Sequence, residues 1–550
     1  MNRRNFLFSA LASAQPAPGF QLVDVTSRAG LAFRHNTGAF GAKYLPETMG
    51  PGCAFLDFDG DGWLDILLVN GQDWPGHVRG RTTPRLYRNN RNGSFTDVTK
   101  AAGLDVEMYG LGVAVADFDN DGFPDLYFTC AGQNRLFRNT GKGRFVDATN
   151  ASGLGGRQSF STSAMWVDVD RDGHLDLFVC NYVRWSAEQD VFCSLDGKAK
   201  SYCTPEAFRG TTSWLFRNRG DGTFEDITAK SGLFDASSKS LGVAMLDADA
   251  DGWPDIFVAN DTQPNKLYRN NHDRTFRETA VRSGVAFGED GRARAGMGVD
   301  AGDFRRSGRE AIAVTNFDNE MMGLFDTVAN GFTDRAMATG VGAATRSRLG
   351  FGCLFFDADL DGHLDLLAVN GHIDDTVRNL NRGVVHAQSP NLFLNNGHGQ
   401  FTDIAASAGA AFHAPKVGRG LALGDFDRDG DLDVLITTNG GPAFLYRNDI
   451  GNGNRSIRFL LEGRKSNRDA IGAVIRLFGS DGAQMRMIRG GSSYLSSSAL
   501  TATFGAGKAT SVERAVVYWP SGRTDEFKNL ATGRTYHCVE GQAPRELDYR

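Results

Sequence analysis

Long apolar runs are missing from these 550 residues: nothing approaches the ~20 consecutive residues of a membrane-spanning helix, which excludes a helical membrane span. Surplus positive charge is missing as well. The 59 Lys and Arg against 65 Asp and Glu leave a net −6, which argues against a general nucleic-acid binder. Cysteine is scarce and odd in number, seven in all, so the chain is not exhaustively disulfide-bonded. Proline is scarce too, at 15, whereas glycine reaches 68 without a collagen period, the composition of many tight turns between short strands. Apolar residues at 41% are enough for a packed core, so global disorder is also excluded.

The first residues read as an address. Arg3-Arg4 precede an apolar stretch from Phe6 to Ala12, and Ala12-Ser13-Ala14 offers a small-residue cleavage site. Arg3-Arg4-Asn5-Phe6-Leu7 resembles a twin-arginine export signal. Residues 1–14 are therefore expected to be a signal peptide, and the mature protein to be periplasmic, cell-surface or secreted. Cys53, Cys130, Cys180 and Cys353 fall in apolar repeat strands and read as buried thiols. Cys193 and Cys203, ten apart in a polar insertion, are expected to pair in an oxidising compartment.

Internal repetition dominates what remains. The phrase Asp-x-Asp-x-Asp-Gly-x-x-Asp begins at Asp57, Asp117, Asp168, Asp247, Asp357 and Asp425. A degraded copy at Asp303 has Arg305, Ser307 and Ala311 in place of three acids. Each phrase is flanked by short β-branched or aromatic runs, followed by a strand such as Leu86-Tyr87-Arg88-Asn89, a glycine turn and a last strand such as Phe95 to Thr99. Four strands per unit and seven units predict a seven-bladed β-propeller. Small residues five and seven places before every leading Asp, Gly52 and Gly298 among them, predict close approach of another backbone to each innermost strand. The last unit lacks its fourth strand, and Phe20 to Thr26 supplies a matching one, so the N-terminal strand is expected to close the ring. The propeller is assigned to residues 15–454. Residues 455–550 leave the repeat and read as a small β-sandwich.

Four carboxylates within nine residues repel one another unless a cation compensates. Oxygen ligands at positions 1, 3, 5 and 9 with a backbone carbonyl at 7 suit Ca²⁺. The expected side-chain ligands are Asp57, Asp59, Asp61 and Asp65; Asp117, Asp119, Asp121 and Asp125; Asp168, Asp170, Asp172 and Asp176; Asp247, Asp249, Asp251 and Asp255; Asp357, Asp359, Asp361 and Asp365; and Asp425, Asp427, Asp429 and Asp433. The expected carbonyls are those of Trp63, Phe123, His174, Trp253, His363 and Asp431. Six calcium ions would carry the mature chain, at −8 once Arg3 and Arg4 are gone, to about +4.

These loops, with their Leu-Tyr-Arg-Asn and Gly-x-Phe-x-Asp tails, resemble the FG-GAP/VCBS repeats of integrin-like propellers. Ser466-Asn467-Arg468, Ala470-Ile471-Gly472-Ala473, Gly491-Ser492-Ser493-Tyr494-Leu495 and Trp519-Pro520-Ser521-Gly522 are similar to the ASPIC and UnbV domain. The chain is thereby placed with bacterial relatives of cartilage acidic protein. The resemblance implies an extracellular calcium-binding protein of adhesion or matrix type. The expected function is a binding module for anionic glycans or for envelope or matrix proteins. The alternative is a calcium-dependent polysaccharide lyase with its base among His372, Tyr182, Arg184 and His35, although no catalytic constellation stands out. Basic residues on the connections entering the innermost strands place a candidate anion site on the face away from calcium. They include Lys43, Arg157, Lys239, Arg292, Arg294, Arg346, Arg348, Lys416 and Arg419, with Tyr182 and Trp185 for stacking and Arg184 and His372 as further ligand-binding candidates.

Overall fold

The computed structural model describes residues 19–194, 197–379 and 383–547; the signal peptide expected at residues 1–14 lies outside them. The chain is all-β apart from helical turns of three to five residues. Residues 20–450 form five four-stranded antiparallel sheets and one of eight strands. The eight-stranded sheet is two repeat units joined where Ser159 and Phe160 pair with Gly132 and Ala131. In each unit the order in space follows the order in sequence, with the acidic loop joining the first strand to the second.

First strands are the most buried. Gly110–Ala116, Ser240–Leu246, Gly296–Gly302, Gly350–Phe356 and Gly418–Gly424 are buried along their whole length. Each lies against the first strand of the next unit, and Cys53–Leu56 lies against both Gly110–Ala116 and Gly418–Gly424. Phe20–Asp24 pairs antiparallel with Phe444–Ile450, in register from Phe20 with Ile450 to Asp24 with Tyr446. It supplies the outer strand that the last unit lacks.

Beyond residue 455, two four-stranded sheets face each other. One runs Ala502–Gly505, Ser456–Glu462, Arg534–Val539, Arg545–Leu547, and the other Gly482–Met487, Val474–Gly479, Ser511–Tyr518, Thr524–Ala531. This domain is not an appendage. Its buried side chains, including Ile471, Ile475, Phe504 and Trp519, form one core with Met165, Trp166 and Leu177 of the repeat region.

A segment of the C-terminal domain also enters the space where the first strands converge. Ser493 exchanges backbone hydrogen bonds with Val299, and the amides of Trp166 and Val113 donate to the carbonyls of Gly490 and Leu495. Ser497 exchanges bonds with Cys53 and Phe55, and the Ala499 amide donates to Leu423. Polar backbone groups on the inner edges of the first strands are thus satisfied by the inserted segment. The small residues of the first strands make room for two kinds of neighbour. A β-carbon on Gly298 would lie 2.0 Å from the carbonyl oxygen of Phe351 in the adjacent first strand, and one on Gly52 would lie 1.8 Å from that of Leu495. The close approach read from the glycines therefore includes an insertion that the repeat pattern did not reveal.

Candidate metal centres

The acidic loop is built by its own first carboxylate. Asp57 Oδ1 accepts the amide of Asp61 at 3.0 Å, and Oδ2 accepts that of Gly62 at 2.7 Å. The same pair of bonds recurs from Asp117, Asp168, Asp247 and Asp357. The fifth position accepts the amide of the seventh, as Asp61 does from Trp63 at 2.8 Å. Glycine at the sixth position has positive φ in every copy, for example 83° at Gly62 and 107° at Gly430. The fourth position is left-handed too, in Asn120, Arg171, Ala250, Leu360 and Arg428. Its residue types gave no hint of this.

The ninth carboxylate has a second employment. Asp65 Oδ2 accepts the amide of Phe58 and Oδ1 that of Asn89, and the arrangement repeats at Asp125, Asp176, Asp255, Asp365 and Asp433. It ties the loop to the third strand. The asparagine of that strand then reaches the preceding unit: Asn139 Nδ2 donates to Phe58 O at 2.8 Å, and Asn89 Nδ2 to Phe426 O at 2.9 Å. The Leu-Tyr-Arg-Asn phrase thus supplies a staple between units, a role its strand pattern did not disclose.

What these bonds leave over fits a cation. One oxygen each of Asp59, Asp119, Asp170, Asp425 and Asp427 is buried with no hydrogen-bond partner among the described residues. Carboxylate oxygens within 4.8 Å of one another bring together Asp57, Asp59 and Asp61; Asp117, Asp119 and Asp125; and Asp168, Asp170 and Asp176. The same holds for Asp247, Asp249 and Asp251 and for Asp357, Asp359 and Asp361. In the last loop the side chain of Asp431, expected to offer only its carbonyl, joins the acids: it is buried and one of its oxygens is unpartnered. Burial raises the carboxyls of Asp57 to about 6, Asp168 to about 7 and Asp357 to about 8, and neighbouring carboxylates push the same way. Buried, mutually repelling acids with free oxygens are the donor set a hard cation takes.

The degraded fifth loop shows which parts serve the fold alone. Asp303 and Gly308 keep the turn, with Asp303 accepting the amides of Ser307 and Gly308 at 2.8 and 2.7 Å. The charges around it are exchanged. In the second, third and fourth units a third-strand arginine faces the third-position aspartate, as Arg138 does Asp119 and Arg217 does Asp170. Here Arg305 occupies the third position and Asp326 the strand, paired at 2.5 Å. A guanidinium stands where a ligand would, and the turn is kept by the Asp303 bonds.

The model of the FG-GAP-like repeat matches residues 57–128, 117–179, 189–258, 247–314 and 357–436, together more than half of the chain. The chain belongs to the FG-GAP-like repeat family. Residues 463–545 match the ASPIC and UnbV domain. Cartilage acidic protein 1 of Homo sapiens is 25% identical over 537 residues, covering 92% of this chain and 73% of its own length. Among solved structures, an Agrocybe aegerita lectin recognising non-reducing terminal N-acetylglucosamine aligns at TM-score 0.37 and 18% identity, over 63% of this chain and 77% of its own. Rhamnogalacturonan lyase PL11 of Bacillus licheniformis aligns at TM-score 0.37 and 11% identity, over 78% and 75%. Likeness at that level carries no functional information.

In this FG-GAP protein the ASPIC and UnbV domain sits on the metal-loop face. Asp469 accepts the amide of Asp117 at 2.7 Å, the Arg468 amide donates to Asn120 Oδ1 at 2.8 Å, and Arg458 just before the matched segment pairs with Asp425.

The opposite face differs from the sequence expectation. Its basic residues do not form a free rim, because several are consumed inside the fold. Arg419 is fully buried, donating to the carbonyls of Thr48, Gly371 and Gly418, with its guanidinium 3.8 Å from the Phe351 ring. Lys416 donates to Phe412 O and Ala414 O, and Lys239 to Pro205 O. Arg294 pairs with Asp334, Arg157 with Asp226 and Lys43 with Asp375. Arg184, Arg292 and Arg346 are exposed and Arg348 is half-buried.

The stacking residues are spent as well. Tyr182 is buried, donating to Asp261 at 2.5 Å, and Trp185 donates to Asp190 within a cluster containing Tyr44 and Trp74. His372 is buried, accepts the amide of Asp374 and lies 3.5 Å from Asp318. His35 is buried and accepts the amide of Gly440; burial, aided by nearby Arg419, lowers it to about 3. The four lyase candidates are therefore not gathered around one open site. A disulfide joins Cys193 to Cys203 in the third-unit insertion, and Cys53, Cys130, Cys180 and Cys353 are buried free thiols.

The raised carboxyls give the metal-free form a pH dependence of definite sign. Their folded-state values lie above the ordinary aspartate value of 3.8, so the folded chain holds protons that the unfolded chain releases. That stabilisation is complete below the unfolded value and is lost as pH rises through the folded values of about 6 to 8. With chelator present, the melting temperature is expected to be higher near about pH 5.5 than near about pH 8, and the gain on adding calcium to widen towards about pH 8. A calcium gain that does not vary with pH would show that these carboxyls are not the ligands.

Proposed function

We propose that this chain is a closed seven-bladed propeller organised by about six calcium ions, exported from the cytoplasm, and acting as a binding module for anionic glycans or extracytoplasmic proteins. The observation that carries the reading is the set of repeated loops whose buried carboxylate oxygens have no partner among the described residues. Closure is supported by the pairing of Phe20–Asp24 with Phe444–Ile450 and by the reach of Asn89 to Phe426 across the first and last units. Export is supported by the Cys193–Cys203 bridge, since such bonds persist in oxidising compartments. The positions 1, 3, 5 and 9 named above would hold the ions. Bound calcium would supply charge neutralisation, allowing the blades' acidic ends to approach one another.

Binding is favoured over catalysis because His35, Tyr182 and His372 are each buried and already hydrogen-bonded. The test is a panel of acidic and neutral glycans probed with and without chelator. Retention of acidic glycans only in calcium supports the reading. Failure to retain any would overturn the glycan reading and leave an extracytoplasmic protein as the partner, and release of unsaturated uronate product would overturn binding in favour of catalysis.

A further inference from the structure

A cleft of about 360 Å³ lies between acidic loops three to five and the ASPIC and UnbV domain. Arg171 from loop three, Arg309 from loop five, and Arg476 and Tyr518 from the C-terminal sheet line it, together with Gly472 and Trp519 of the motifs noted in the sequence. Two of its cations, Arg309 and Arg476, have no acidic side-chain partner among the described residues. Arg171 stacks on Trp253 at 4.4 Å, and the carboxylates of Asp251, Asp168 and Asp247 lie near enough to act on its charge. Among the described residues the Arg309 guanidinium donates only to the backbone oxygen of Ala248, at 2.9 Å. Arg476 lies 5.7 Å from the Tyr518 ring, and its Nε is buried without a hydrogen-bond partner.

The acids at the border have partners of their own within the fold. Glu310 pairs with Arg489 through one oxygen and keeps the other buried without a partner, Asp251 accepts from Trp253 and contacts His272, and Asp247 holds the amides of Asp251 and Gly252. Tyr518 is 41% exposed, so a flat apolar face is open beside the free guanidinium groups. Trp253 is not available for stacking, being covered by Arg171 on one contact and His272 on another.

We propose that this cleft is the binding site for an acidic sugar of the uronate class, its carboxylate held by Arg309 and Arg476 and its ring laid against Tyr518. The assignment deepens the anionic-glycan reading above and rests on it. Guanidinium groups match carboxylates in a planar, paired geometry, and an aromatic face suits the apolar side of a pyranose. Clefts at domain boundaries are where small ligands collect. Loop five is suited to its part here: having lost its ligands, it carries Arg309 where the full loops carry an unconstrained seventh residue.

The test is calorimetric titration of the calcium-loaded full chain with trigalacturonate, and with cellotriose as the neutral probe. The native chain is expected to bind the first and not the second. Arg309→Gln with Arg476→Gln, and separately Tyr518→Ala, should each weaken binding by about tenfold or more with melting temperature unchanged. Arg346→Ser, on the opposite face, should bind as the native chain does. If both cleft variants bind trigalacturonate with native affinity while remaining folded, the cleft assignment is overturned and the glycan reading stands. If the native chain binds neither trigalacturonate nor any other acidic glycan of the panel, both are overturned.

Discussion

Removing calcium from the folded chain should lower its melting temperature by roughly 5–10 °C, from a linkage of about 8 kcal/mol over six sites and an unfolding entropy near 2.1 cal/mol/K per residue. That figure takes a Kd of about 10⁻⁴ M and about 1 mM free ion, at which each site contributes about 1.4 kcal/mol. The repulsion left behind adds to the loss, since Asp357, Asp359 and Asp361 remain within 4.8 Å of one another. Asp59→Ala removes one ligand of one loop and should shift melting by only about 1 °C, the share of a single site. Differential scanning calorimetry with and without chelator reads both. A thermogram indifferent to chelator would show that the acidic loops are held by their hydrogen bonds alone.

A second large effect is expected from the segment between the first strands. Tyr494 is fully buried, its hydroxyl donating to Met49 O at 3.1 Å and its ring 5.1 Å from that of Phe351. Tyr494→Ala should cost about 3–5 kcal/mol, as truncations of large buried aromatics do. Ending the chain at residue 454 should do more. It removes the partners of the Val113, Trp166 and Val299 amides and exposes the apolar surface that Trp166 and Met165 share with the C-terminal domain. The shortened chain should aggregate or melt far below the native one, and the native chain should unfold in one transition. A soluble fragment ending at 454 with native melting, or two separate transitions in the full chain, would mean that the C-terminal domain is an independent unit.

The repeat and its all-β character were legible because both rest on local signals. Strand periodicity, turn glycines and the spacing of Asp57, Asp59, Asp61 and Asp65 lie within one short stretch of sequence. What was not legible is what depends on a partner distant in sequence. Asn89 reads as the end of a strand, yet its amide spans 337 residues to Phe426. Arg305 is visible as a departure from the pattern, but its exchange of charge with Asp326 appears only once strand register brings the two together. The basic face failed for the same reason. A sequence displays Lys239, Lys416 and Arg419 as charges and does not display the carbonyls of Pro205, Phe412 and Thr48 that consume them. Gly491 to Leu495 was recognisable as a motif, but nothing in its composition says that it enters the middle of another domain.

The most direct test of the central claim, that the repeated acidic loops are calcium sites, is the metal content of the chain after equilibrium dialysis against calcium, measured by atomic emission. About six calcium ions per chain are expected for the six complete loops, and about five once Asp357, Asp359 and Asp361 are all replaced by Asn, while changing Asp303 should leave the count unaltered. A chain that retains no calcium, or whose count is the same with and without the sixth loop's acids, would contradict the account.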